Sequence, residues 1–247
     1  CNPLIADMYT SNRTTMLNKF HVWFPGGIVI GALATNFMNT LGLGWQLKIA
    51  IMIIPTLIYG FMFFKAIFPK SENIDTDTSN NIKSLFSLLF IFIAVCMTLT
   101  ATTELGTQHW LQPLLEKSGA NPMLILAMTT GIMAVGRYFA GPIVHKLNPI
   151  GVLFMSAIVS TVAIYFMSIA DGTALYGAAI LFAFGVCYFW PTMIGFVAEY
   201  IPKTGALGMS LVGGMGMFAT GIWNPIIGSW IDTCLLYTSD AADDGYR

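Results

Sequence analysis

Glu104 and Gln108 lie four residues apart at the end of an apolar run, with Thr100 one turn earlier. On an α-helix this spacing puts all three on one face. A carboxylate, an amide and a hydroxyl in a row can hydrogen-bond the hydroxyls of a polar solute. Trp110, two residues on, adds a ring face on which a pyranose could stack. The alternative places Glu104 at the outer edge of the apolar region, where it would contact only water. A second group is Tyr188, Trp190 and Pro191. Proline inside a helix removes a backbone hydrogen bond and favours a kink, which frees carbonyl groups. The aromatic pair beside it suits ring stacking, unless Trp190 is lipid-facing bulk. Asn224 and Pro225 repeat the pattern. A buried amide needs partners, and either a solute hydroxyl or a neighbouring helix carbonyl would serve. Asn36 is a lone example of the same kind.

Other chemistries lack their residues. The chain has no H-E-x-x-H, G-x-S-x-G or G-x-x-x-x-G-K-[ST] motif, so no metalloprotease, hydrolase or phosphate-loop signature is present. Cys1, Cys96, Cys187 and Cys234 are scattered, with no C-x-x-C pair for zinc or redox work. His21 and His145 fall in connections between apolar runs, and His109 near the end of one. No catalytic residue, metal or cofactor is expected. An integral-membrane enzyme would need His, Asp or Glu clustered near one interface, and the sequence offers no such cluster.

The elements that position these residues follow from composition. The chain is 56% hydrophobic and 9% charged, where a soluble domain carries about 25% charge. Lipid must be the solvent for most of it. A net charge of -1 argues against a nucleic-acid partner, which needs a basic face. A membrane-spanning helix takes about 20 apolar residues. Seven segments qualify: 24–41, 47–64, 85–103, 123–143, 151–169, 174–196 and 207–231, with residues 1–9 as the stub of another helix.

The connections test the count, because Lys and Arg concentrate on the cytoplasmic side. One alternate set holds Arg13, Lys19, Lys65, Lys70, Lys83, Arg137, Lys146 and Lys203; the other holds Lys48 and Lys117. Residues 69–83 are the one long hydrophilic stretch and read as a linker between two bundles. Glycines at 205, 208, 213, 214, 216 and 221 let helices pack closely, and a moving gate is compatible with them.

Residues 133–149 (Met-Ala-Val-Gly-Arg-Tyr-Phe-Ala-Gly-Pro-Ile-Val-His-Lys-Leu-Asn-Pro) resemble the degenerate second copy of the major facilitator loop signature. Gly136, Arg137, Gly141 and Lys146 are the matching positions, and the acidic residue of the full signature is absent. The resemblance implies gating and packing roles for these four, with Arg137 capping carbonyls at a cytoplasmic helix end. Residues 188–202 resemble the tenth helix of the fucose-permease-like sugar-transporting branch. Asn2-Pro3-Leu4, followed by Leu17-Asn18 and His21, is similar to that branch's connection between helices four and five.

The resemblance implies an all-α membrane protein with a partial major facilitator fold. Residues 1–68 would be the end of the first half (end of helix four, helices five and six), and 69–83 the cytoplasmic linker. Residues 84–233 would be helices seven to eleven. Residues 234–247, beginning Cys-Leu-Leu-Tyr-Thr-Ser-Asp, resemble a translated sequencing adapter and are expected to have no function. The chain is expected to be a fragment, lacking helices one to three and twelve. It further implies a multi-pass protein of a bacterial inner membrane, monomeric at full length, that moves a small polar solute by alternating access. A sugar with protons is the first expectation; a drug or amino-acid exporter, or a non-transporting sensor, are the alternatives.

Overall fold

The computed structural model describes residues 1–67, 78–110, 121–170 and 172–244, and the described elements are helices. In chain order they are α1 (Asn2–Met8), α2 (Arg13–Phe20), α3 (Trp23–Thr40), α4 (Trp45–Ala50), α5 (Ile53–Lys65), α6 (Thr78–Leu85) and α7 (Leu88–Ala101). A π-helical turn (Thr102–Gly106) extends α7. Then follow α8 (Pro122–Tyr138), α9 (Ala140–Ile169), α10 (Ala174–Val186), α11 (Phe189–Tyr200), a 3-10 turn (Pro202–Thr204) and α12 (Gly205–Asp244).

Local chemistry sets the ends. Asn121 accepts hydrogen bonds from the Met123 and Leu124 amides at 3.0 and 3.3 Å, and Pro122 follows at the first helical position, so α8 is capped where it begins. Gly42, at φ 68°, ends α3. Its amide bonds to Asn39 O and that of Leu43 to Met38 O, the paired bonds of a Schellman end. Asn148 stands at φ 54° inside the α9 span. It breaks the helix before Pro149, and its side chain accepts from the Gly151 amide at 3.0 Å to start the next part.

Six stretches are long and apolar enough to cross a membrane: Arg13–Thr40, Trp45–Lys65, Leu88–Trp110, Ala140–Ile169, Ala174–Tyr200 and Pro202–Cys234. Met123–Tyr138 is a shorter apolar helix. The sequence led to seven spans, and the difference lies around residues 123–143. The helix expected there is interrupted at Phe139, and its last part belongs to the stretch that runs on to the Asn148 break. The first span begins at Arg13, eleven residues before the expected start at 24, because α2 and α3 join through His21 and Val22. Of the expected linker, residues 69–77 lie outside the described residues, and 78–83 are helical, in α6. The expected tail from Cys234 continues α12 as far as Asp244.

Many large apolar side chains face outward. Trp23, Phe64, Ile67 and Leu88 are more than four-fifths exposed, as a surface solvated by lipid requires. Inside, Leu17, Met97, Ile194, Val197 and Val212 form one buried cluster, and Met133, Phe182, Val186 and Cys187 another. Small residues set the helix spacing. A methyl group added at Gly185 would lie 2.6 Å from the Ser160 backbone nitrogen, so α9 and α10 meet backbone to backbone there. α3 packs along α8, and α2 against α11.

Gly185→Ala is expected to destabilise the protein by about 1–3 kcal/mol through overpacking. Gly177→Ala, with nothing within 4 Å of the new methyl, should instead gain up to about 1 kcal/mol of helix propensity. Thermal unfolding of both variants in detergent separates the two; equal melting temperatures would contradict the close contact at Ser160.

Candidate functional site

The site is built around a cation. Arg137 is 1% exposed and forms an ion pair with Glu104, itself 2% exposed, at 2.8 Å. Taking each charge out of water costs several kcal/mol, so the surroundings must hold both. Arg137 Nε donates to Cys187 O at 2.7 Å, and one terminal nitrogen to His21 O at 3.4 Å. Both carbonyls lie four residues before a proline: Cys187 before Pro191, and His21 before Pro25. Each proline lacks the N–H that would have bonded that carbonyl within its helix. Two helix defects therefore supply two acceptors, and the guanidinium takes both.

Packing makes the approach possible. A methyl added at Gly136 would lie 2.7 Å from Cys187 Sγ, so the bare glycine lets α8 press against the junction between α10 and α11. Cys187 Sγ donates to Met133 O at 3.4 Å and Tyr188 Oη to Gly136 O at 3.1 Å. Glu104 reaches Arg137 from the π-helical turn. Thr100 lines a different cavity from Glu104, so the expected row is divided between two sites. π turns of this kind recur at functional sites.

Glu104 Oε1 is bonded to Arg137, whereas Oε2 is buried without a hydrogen-bond partner among the described residues. The Trp190 backbone lies close to the Glu104 carboxylate. A cavity of about 140 Å³ opens here, lined by His21, Phe24, Glu104, Leu105, Arg137, Trp190 and Met217. The walls come from both sides of the hydrophilic stretch at 69–83. The Trp190 ring reaches Gly216 and is half-buried against the cluster that holds Met97.

Other expected site residues lie apart from this cavity. Gln108 is one turn along from Glu104 and points its amide at Met133 Sδ, 3.1 Å away. Met133 is one turn from Arg137, so the two pairs form successive rungs between antiparallel helices. Trp110 packs its ring on Gly228. Asn224 places its side-chain oxygen against Gly106, where it too is buried without a partner. Tyr188 is committed to Gly136 O. Asn36 accepts from Asn121 at 2.9 Å, tying the ends of α3 and α8.

Two expectations need correcting. Arg137 does cap helix-end carbonyls, those of Cys187 at the end of α10 and His21 at the end of α2, but it does so buried in the bundle and not from an exposed connection. His21, expected in a connection between apolar runs, lies instead within the first apolar stretch, at the turn between α2 and α3, and lines the cavity. Its Nδ1 bonds to Leu17 O at 2.8 Å, which requires the proton there and leaves Nε2 of the neutral ring as an acceptor. The sequence signal for both was the pair of prolines, counted back by four residues. Gly141 faces Thr15 across a helix contact, and Lys146 is exposed, so those two signature positions do not enter the site.

A larger cavity of about 680 Å³ lies between α7, α9 and α11, with Phe92 and Phe154 at its exposed edge. Its hydroxyls, Thr100, Thr103, Ser160 and Thr161, are each bonded to a carbonyl of their own helix. It offers no charged group to a polar solute. Among the described residues no three His, Cys, Asp or Glu side chains are grouped as metal ligands.

Arg137→Ala should destabilise the protein by about 3–5 kcal/mol, because it strands a buried carboxylate. Glu104→Ala combined with it should restore part of that loss, giving a clear coupling energy in a double-mutant cycle of unfolding. Strict additivity would mean that the pair does not interact.

Among comparisons with known proteins, a family model described as Major Facilitator Superfamily matches residues 1–225. No curated protein and no solved structure matches the chain.

Proposed function

The chain belongs to the Major Facilitator Superfamily of multi-pass membrane transporters, and from that premise we propose a secondary carrier that moves a small polar solute, a sugar, together with protons. The observation that carries this reading is the buried Glu104–Arg137 pair facing a cavity whose walls come from both parts of the chain. Intramembrane charges are costly, and they mark solute or ion pathways.

The donors and acceptors suit hydroxyl groups. Arg137 offers N–H donors, Glu104 Oε2 and His21 Nε2 offer lone pairs, and Trp190 borders them with a ring. A sugar hydroxyl both donates and accepts, so it can bridge a carboxylate and a guanidinium without bringing in a charge. At about 140 Å³ the cavity is smaller than the roughly 300–1,000 Å³ of ordinary ligand pockets. Solute occupancy therefore needs the walls to separate, as a rocking motion of two bundles about a shared site would do. An inner membrane of a bacterium remains the proposed location.

The test is counterflow of labelled solutes into vesicles containing the full-length protein, across hexoses, pentoses, amino acids and cationic drugs. Sugar exchange, reduced at least tenfold in Trp190→Ala at equal expression, is the expected result. Exchange of amino acids or drugs but of no sugar would overturn the substrate class. Exchange of nothing, with solute binding intact, would favour a sensor.

A further inference from the structure

Proline inside a helix kinks it and removes a donor, and around the cavity it is the missing donor that matters. Beyond both prolines the helix ladder resumes at once. The Gly26 amide donates to Val22 O at 2.9 Å, and the Thr192 amide to Tyr188 O at 3.1 Å. Before them, the His21 amide donates to Leu17 O at 3.0 Å, and Cys187 and Tyr188 keep right-handed helical backbone. Each proline therefore removes one rung, the one that would have ended on His21 O or on Cys187 O. Pro55 shows that such a carbonyl need not stay free. The one it vacates, Ile51 O, is taken back by the Ile54 amide at 3.2 Å. At Pro25 and Pro191 the vacated carbonyls go to Arg137 instead.

The two acceptors are not used alike. Arg137 Nε donates to Cys187 O at 2.7 Å, and both residues lie after the hydrophilic stretch at 69–83. The bond to His21 O is longer, 3.4 Å, and joins α8 to the part of the chain before that stretch. Both of its residues line the cavity. Admitting a solute requires the cavity walls to separate, and the bond across them is the one that breaks. His21 O then has no amide in its own helix to return to. An unpaired acceptor in an apolar wall is costly, and a solute hydroxyl donating to it removes that cost.

We propose that Pro25 and Pro191 are positioning residues of the solute site, each acting through the amide hydrogen it lacks. Pro191 leaves Cys187 O as the fixed anchor of Arg137. Pro25 leaves His21 O as an acceptor that the guanidinium yields to a solute hydroxyl. The anchoring stands on the geometry alone, whereas the yielding of His21 O rests on the carrier reading. An amide hydrogen restored at either position lets the helix reclaim its own carbonyl, in competition with Arg137 and, at His21, with the solute.

Two measurements on the full-length protein test this. The first is thermal unfolding in detergent of Pro25→Ala and Pro191→Ala. Each is made in wild type and in a background where Glu104→Leu and Arg137→Met remove the ion pair together, a replacement that buried pairs tolerate. Without Arg137 the new amide hydrogen only repairs a helix. The melting temperature should therefore change more favourably in that background, by several degrees at Pro191 and by less at Pro25. Equal changes in the two backgrounds overturn the anchoring. The second is counterflow across a panel of labelled hexoses and pentoses, read on the one that wild type exchanges fastest. Pro25→Ala should raise KM about fivefold, the contribution of one hydrogen bond, with kcat little changed. The α-hydroxy analogue of alanine at position 25 puts an ester oxygen where alanine has N–H, and it should restore KM. Pro55→Ala should exchange as wild type does. An unchanged KM in Pro25→Ala, or an ester variant as impaired as Pro25→Ala, overturns the role of the missing hydrogen. Unequal melting changes with exchange of no member of the panel would remove the carrier reading and the yielding of His21 O, and leave the anchoring of Arg137 standing.

Discussion

A guanidinium in a lipid-solvated bundle is the constraint on which this structure turns. Arg137 is too expensive to bury alone, and each irregularity near it serves its retention. Pro191 and Pro25 interrupt two helices and expose one carbonyl apiece. Gly136 thins α8 so that Cys187 can come within reach. The π-helical turn carries Glu104 into the pair. None of these features would stabilise its own helix. They are consistent only as a set, assembled about one charge.

The apolar framework was legible because it depends on composition and length. Hydropathy located most of the crossings, and the capping residues Ser87, Asn121 and Asn148 account for the starts that structure refined. Arg137 was misplaced for a simple reason. Counting Lys and Arg by connection treats every cation as exposed, and a single buried arginine violates that assumption. His21 was missed because α2 and the turn after it are polar (Thr14, Asn18 and His21), which reads as a connection. A helix that lines an interior polar contact has the same pattern. Of the row Thr100–Glu104–Gln108, the last two share one side, towards α8, while Thr100 faces another cavity, a division that a four-residue spacing cannot reveal. Pairings between Glu104 and Arg137, 33 residues apart, cannot be read from spacing at all.

Small residues and large ones divide the remaining work. Gly185 against Ser160 and Gly195 against Thr14 bring backbones together, which dispersion alone rewards in a medium as apolar as the side chains. Many of the Phe and Leu side chains are left to the outside, where lipid solvates them at no cost. The 680 Å³ cavity is an extreme of that rule: its hydroxyls have turned back onto their own helices, leaving a wall that is apolar in effect though not in sequence.

The contact between α2 and α11 has a different character from the cores on either side of it. Arg13 donates to Ala198 O at 2.7 Å, the Thr14 amide to Glu199 at 2.9 Å, and Asn18 to Thr192 at 3.3 Å. Thr14 Oγ1 and Asn18 Oδ1 are meanwhile buried without partners among the described residues. An unsatisfied buried acceptor costs about 1–3 kcal/mol, and water would relieve it. A hydrocarbon core gains nothing by admitting water, whereas this interface exchanges its hydrogen bonds for hydration and recovers what the two unpartnered oxygens cost. Of the contacts that join the two parts of the chain, this polar one therefore gains most from hydration. Glu104, Arg137 and His21 lie along that same division, so the charges that are hardest to bury are placed where opening would rehydrate them.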